Sequence, residues 1–269
     1  MQKRAAVIND FASFGRCSLA VSIPILSAMK VQCCPVPTAI FTNHTGFKSF
    51  QWTDYTAHMD GYIEEWQKLG LKFNAVQTGF LGSVAQIDYV FRFLEAFGKG
   101  ALIAIDPVMG DYGRLYSTYS QELAESMRRF LPVADVLTPN LTEACVLAGV
   151  PYDPEMGDQA LNKVAHHLSD PNNAKVVITG IQRGRTLVNY VYEDGNATLV
   201  ETEKLGEDRS GTGDVFASVV LGALMNGQSF INAVDTANLF VAHAVEASIR
   251  LEVPLKDGLA IEEVLGDLT

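Results

Sequence analysis

The chain has 269 residues, 48% of them hydrophobic, with 22 glycines and 10 prolines, the composition of an ordinary globular protein able to bury a large core. Its net charge of −11 argues against nucleic-acid or anionic-membrane partners, which are tracked by clustered lysine and arginine. There is no apolar run of about 20 residues, and the apolar stretch after MQKR is too short for a signal peptide, so a cytoplasmic location is expected.

From the N-terminus onward, short apolar runs alternate with longer amphipathic ones. Ala5–Ile8, Asn74–Gly79, Ala101–Asp106, Ala134–Asn140 and Lys175–Gly180 read as buried strands, each brief and bounded by turn residues. Helical patterns fall near Ser18–Met29, Tyr55–Leu69, Ala85–Phe97, Gln121–Phe130, Leu141–Ala148 and Asp158–Leu168. The alternation predicts an α/β fold with a mainly parallel sheet covered by helices on both faces. Val31–Thr45 reads as extended chain forming a small flap, and Thr186–Glu201 as a hairpin turning at Asp194-Gly195-Asn196. Three further helical stretches follow near Asp214–Met225, Ile231–Ser248 and Ile261–Leu265. With no linker, repeat or low-complexity tract, a single domain is expected. Cys17, Cys33, Cys34 and Cys145 form no CxxC pair and read as reduced thiols.

In such sheets ligands bind beyond the carboxyl ends of the strands. Those ends carry Asn9-Asp10, Gly79, Asp106-Pro107, Thr138-Pro139-Asn140 and Thr179-Gly180. GxxxxGK[ST], GxGxxG after the first strand, GxSxG and HExxH are all absent, which removes the P-loop, dinucleotide, common hydrolase and zinc-protease readings. SGTGD, Ser210 to Asp214, leads glycines into a helix whose first N–H groups can hold an anion. An acid there can simply cap the helix, and Asn140-x-x-Glu143 can be a capping arrangement too. Together with acids at neighbouring strand ends, the set also fits phosphoryl transfer, in which a carboxylate orients an alcohol and accepts its proton.

VITG, PNLTEA, DPVMGD and SGTGD resemble the ribokinase-like superfamily of small-molecule kinases. FTNHTG (Phe41–Gly46), GFLG (Gly79–Gly82) and DPVMGD (Asp106–Asp111) resemble the pyridoxal kinase family in particular, over nearly the whole chain. The resemblance implies a ribokinase-like fold and ATP-dependent transfer of the γ-phosphoryl group to the 5′-hydroxymethyl of pyridoxal, pyridoxine or pyridoxamine. It implies Asp214 as catalytic base and Gly211, Thr212 and Gly213 as the anion hole. Asp106, Asp111, Asn140 and Glu143 match positions around Mg²⁺ and the phosphates, with Asp106, Asp111 and Glu143 as the metal-side acids. Tyr116, Thr138, Thr179 and Gly180 match nucleotide-side positions. Asp10 and Thr45 match the pair that bonds the pyridine substituents, with Phe80 beside them and His44 read as substrate contact or structural donor. The resemblance further implies a homodimer and leaves a monovalent cation requirement open.

Two positions depart from the pattern, since pyridoxal kinases usually carry Ser at the position of Asp10 and Tyr at that of Phe80. An acid at Asp10 is similar to the hydroxymethylpyrimidine kinases of thiamine synthesis. Those enzymes, however, carry a glycine-rich GGAG-type stretch where this chain reads ASFGRCS, and they lack FTNHTG. A pyrimidine kinase and a non-catalytic vitamer-binding protein remain the alternatives. Because the net charge opposes ATP, local cations are needed, and Lys204, Arg209, Arg183 and Arg185 are the candidates.

Overall fold

The computed structural model describes residues 2–269. In chain order the elements are β1 (Lys3–Ala12), α1 (Leu19–Ala28), β2 (Val31–Phe41), β3 (Trp52–Asp54), α2 (Thr56–Lys68), β4 (Ala75–Thr78), α3 (Val84–Phe97) and β5 (Leu102–Ile105). There follow β6 (Gly110–Asp111), β7 (Arg114–Leu115), α4 (Gln121–Ser126), β8 (Val136–Leu137), α5 (Leu141–Ala148), α6 (Asp158–Ser169) and β9 (Lys175–Arg183). The chain continues through β10 (Thr186–Glu193), β11 (Asn196–Glu203), α7 (Thr212–Met225) and α8 (Phe230–Arg250) and finishes in three short 3₁₀ turns. It divides into two compact units, residues 1–102 with 205–269, and residues 103–204.

In the first unit the strand order is β4-β1-β2-β3, with β1 parallel to both β4 and β2 and β3 antiparallel to β2. The Ala-Ala-Val-Ile run of β1 is buried on both faces, as a strand inside a helix-covered sheet requires. The segment expected to form a flap is, over Val31–Phe41, a sheet strand registered against β1 from Lys3↔Val31 to Ala12↔Phe41. Only the residues after Phe41 leave that pairing. α7 is buried on nearly every side from Val215 to Ala223, so it is a core helix, not a surface one. α8 lays Phe230, Ala233, Val234, Ala237 and Phe240 inward at helical spacing. Trp66, Phe73, Phe93 and Phe97 pack ring against ring at centroid distances of 4.8 to 6.5 Å.

In the second unit the order is β11-β10-β9-β8-β5, with β5, β8 and β9 parallel and the last two strands antiparallel. The expected hairpin is present, with Asp194 at φ 50° and Gly195 at φ 79°, the two left-handed residues that a type I′ turn demands. α6 presents Leu161, Val164, Ala165 and Leu168 as a single buried stripe. The fold is thus α/β with a mostly parallel sheet flanked by helices, as expected. Two local readings change. The helix expected over Gln121–Phe130 tightens to 3₁₀ geometry at Met127, and the stretch from Ile261 forms separate 3₁₀ turns, Ile261–Glu263 and Leu265–Leu268, in place of a helix. Gly266 and Asp267 are poor helix formers, and so short a segment has too few hydrogen bonds to offset nucleation. The small strands β3, β6 and β7 had no signal in the sequence.

Candidate active site

β1 departs from regular pairing at its carboxyl end, where its register on β2 shifts between Asn9 and Phe11. Such an irregularity re-aims side chains. Two consecutive polar residues, Asn9 and Asp10, are accordingly both buried, at 4% and 6% exposure. The Asn9 amide nitrogen donates to Asp214 Oδ1 at 3.1 Å. Ser18 stands just before α1 with φ 54° and ψ −139°, a conformation that side-chain-bearing residues rarely adopt. Its backbone N–H bonds the Asp214 carboxylate and its hydroxyl bonds Asp10, so one strained residue links the two acids.

Burial raises the Asp214 carboxyl above its usual range, against the opposing pull of the Ser18 N–H and the Asn9 amide. Burial, with the negative charge of Asp214, pushes Asp10 up to about 7, although the Ser18 hydroxyl favours its charged form. Cys17, buried against the same two acids, is raised as well. Folded Asp10 therefore keeps a proton that the unfolded chain releases near pH 3.8. Its contribution to stability is present in full below that pH and fades as pH rises toward 7, by about 4 kcal/mol at most. Asp10→Asn should therefore unfold at a higher temperature than wild type at pH 8, with the gap closing toward pH 5. A melting difference that stays constant across this range would refute the assignment.

Asp214 is the third residue of α7, whose N-cap is Gly211 at φ 78°. A Cβ on Gly211 would lie 1.9 Å from the Arg16 carbonyl oxygen, so only glycine fits this close approach. Gly213 differs, for nothing stands within 4 Å of where its Cβ would be. The Thr212 hydroxyl donates to the Arg209 carbonyl at 2.9 Å, and Arg209 itself donates to Val253 O at 2.8 Å. The loop thus has one glycine locked against backbone and another with open space above it, an arrangement suited to a backbone anion site.

His44 is braced on both ring nitrogens. Nε2 donates to the Lys256 carbonyl at 2.6 Å, and Nδ1 accepts from the Gly46 N–H at 3.1 Å, which fixes the neutral tautomer with its proton on Nε2. The ring lies so close to Gly15 and Gly46 that a Cβ on either would come within 2.2 Å and 2.8 Å of it. Its placement is that of a loop brace, not of a free substrate ligand. Half-buried Thr45 follows it in the same loop. Phe80 is buried edge-on against Phe41, which in turn stacks on Trp52. The Phe80 N–H donates to Asn9 Oδ1 at 2.7 Å and its carbonyl accepts from Thr38 at 2.9 Å.

In the second unit the nucleotide-side residues collect around α5. Asn140 and Glu143 form a full capping box. Asn140 Oδ1 accepts from the Glu143 N–H at 3.0 Å, and Glu143 Oε2 accepts from the Asn140 N–H at 2.9 Å. Glu143 Oε1 takes the Met109 N–H at 3.0 Å, and the Asn140 amide donates to Gly110 O at 2.8 Å. Burial, then the charge of Asp106, raises Glu143 well above the usual carboxylate range. Asp106 is buried and accepts from the Thr138 hydroxyl at 3.1 Å, whereas Asp111 is exposed, with its carboxylate on the Tyr112 N–H at 2.7 Å. Tyr116 is exposed. Thr179 pairs with Asn140 through an isolated bridge, and Gly180, at φ 69°, stands open beside it.

Among the described residues no group of three acidic, histidine or cysteine side chains is arranged to hold a metal. Both carboxylate oxygens of Glu143, one of the three expected metal-side acids with Asp106 and Asp111, accept backbone N–H groups. Of the candidate cations, Arg183 pairs with Asp158 and Arg185 with Glu203, and Lys204 donates to Gln182. These are ordinary surface ties. Asn9 and Ser18 are the site residues that sequence reasoning missed, although Asn9 was in view as a strand-end residue.

The family model described as phosphomethylpyrimidine kinase matches residues 23–256. A structure from Bacteroides thetaiotaomicron, described as a putative phosphomethylpyrimidine kinase and crystallised with pyridoxal, is 39% identical with a TM-score of 0.95, covering 100% of this chain and 96% of that one. Pyridoxal kinase from Lactobacillus plantarum is 28% identical with a TM-score of 0.92, covering 100% of this chain and 97% of that one. The pyridoxine/pyridoxal/pyridoxamine kinase of Bordetella bronchiseptica is 27% identical over 256 residues, 89% of this chain and 87% of the relative. Matched over most of its length by the family model, and alike in fold to kinases of both descriptions, the chain belongs to the phosphomethylpyrimidine kinase family and is a small-molecule kinase of the pyridoxal kinase type within the ribokinase-like superfamily.

Proposed function

We propose that this kinase transfers the γ-phosphoryl group of ATP to the 5′-hydroxymethyl group of pyridoxal, pyridoxine or pyridoxamine. The observation that carries the reading is the Asp214 carboxylate, held by Asn9 and Ser18 at the start of the helix opened by Gly211–Gly213. Asp214 would accept the alcohol proton late in the reaction. The loop amides would meet the charge on the transferring group without reorganisation. Asp10, whose carboxyl is pushed up to about 7 by burial beside Asp214, can in its protonated form offer a donor to a pyridine substituent where a charged acid would repel the base. The pyridoxal-bound relative supports this choice of substrate.

Magnesium would arrive with the nucleotide phosphates, since this hard cation keeps most of its ligands as phosphate and water oxygens. A cytoplasmic homodimer completes the proposal on family resemblance. One observation favours a second reading, phosphorylation of hydroxymethylpyrimidine, and that is the acid at Asp10. A competition assay with Mg-ATP, pyridoxal and hydroxymethylpyrimidine separates the two. Pyridoxal should be consumed at least about tenfold faster at equal concentration, a preference worth roughly 1.4 kcal/mol in the transition state. Preferential phosphorylation of the pyrimidine would transfer the assignment to the second reading, and no turnover of either would leave a binding protein.

A further inference from the structure

The Asn9 side chain makes three hydrogen bonds, and they have separable tasks. Its Oδ1 accepts from two backbone donors, Phe80 N at 2.7 Å and Asp10 N at 2.9 Å. Two N–H groups on one amide oxygen fix which end is which, so the NH₂ end must face the Asp214 carboxylate. The amide also lies flat on Gly79, where a Cβ would come within 2.4 Å of its Cγ and Nδ2. Its donor is therefore aimed by rigid backbone from three directions. None of those backbone points needs the Nδ2 bond in order to stay in place.

We propose that Asn9 is a positioning residue for phosphoryl transfer, its amide fixing the rotation of the Asp214 carboxylate while that group accepts the alcohol proton. The inference rests on the reading of Asp214 as the base. The other titratable groups near this carboxylate are Asp10 on the same strand, Cys17 ahead of α1 and His44 in the loop after β2. All three residues are kept in the variants, and Asn9→Ser, which adds no charge beside them, is the variant whose difference from wild type reports the amide.

The test is Asn9→Asp, nearly isosteric, which keeps an oxygen for the Phe80 and Asp10 N–H groups and replaces only the donor facing Asp214 with a second carboxyl oxygen. The expected result is a kcat about 10- to 100-fold lower at pH 7 with KM for ATP unchanged, and an acid limb of the kcat profile displaced upward by about one pH unit or more. Asn9→Ser, which lacks the donor without adding charge, should lower kcat with a smaller displacement. An Asn9→Asp profile superimposed on wild type would overturn the proposal, and so would failure of both variants to fold, which would make Asn9 purely structural. Asp214→Asn run in parallel keeps the two ideas distinct. If that variant stays active, the base assignment is lost. If it is inactive while Asn9→Asp behaves as wild type, only the role of Asn9 is lost.

Discussion

Asp214→Asn should fold normally and lose about 10²- to 10⁴-fold in kcat, the usual contribution of a positioned general base. The amide is close to isosteric with the carboxylate, and burial raises the Asp214 carboxyl above its usual range, so the charged form carries a desolvation cost. Removing a partly desolvated charge relieves a cost, so the variant should melt no lower than wild type even as catalysis collapses. That combination distinguishes a base from a helix cap. A capping acid lost from the first turn lowers stability by about 0.5–2 kcal/mol and leaves kcat alone. Steady-state rates and melting curves on one preparation decide between them, and near-wild-type turnover would remove Asp214 from the chemistry.

The second large effect is expected at Gly211. Alanine there places a Cβ 1.9 Å from the Arg16 carbonyl oxygen while holding φ at 78°, and neither strain can be relieved by a rotamer. The segment around Arg16 is itself fixed, because Arg16 N donates to Asp257 O at 3.1 Å and its guanidinium pairs with Glu262. The loop must therefore move, with a stability loss of about 3 kcal/mol or more and a fall in kcat/KM of at least about 100-fold, because a misplacement of about 1 Å is enough for that. Gly213→Ala is the control on the same loop. With nothing within 4 Å it should fold as well as wild type, and any loss should lie in ATP-dependent kinetics. Equal destabilisation of the two variants in denaturant titrations would refute the distinction.

The alternation of strands and helices was legible because each buried strand is a short apolar run bounded by turn chemistry, and each surface helix shows its stripe. β3, β6 and β7, only two or three residues long, lie below any periodic signal. Val31–Phe41 was recognised as extended but not as a partner of β1, since pairing is a non-local property. At the site, SGTGD drew attention to Asp214, yet nothing local distinguishes Asn9 from any polar residue ending a strand. Its hold on Asp214 depends on contacts 205 and 71 residues away. Ser18 is invisible in the same way, because nothing in the sequence marks a serine for positive φ. Asn140 and Glu143 show the converse, where the plain capping reading proved to be the geometry present.

The imidazole of His44, pressed between Gly15 and Gly46, has an evolutionary corollary. A larger residue at either glycine evicts the ring, so neither position can drift while the histidine stays. A lineage that replaces His44 releases Gly46 outright, whereas Gly15, at φ 88°, remains held by its own dihedral. Substitutions in homologues should therefore appear in a fixed sequence, histidine first, Gly46 next and Gly15 last.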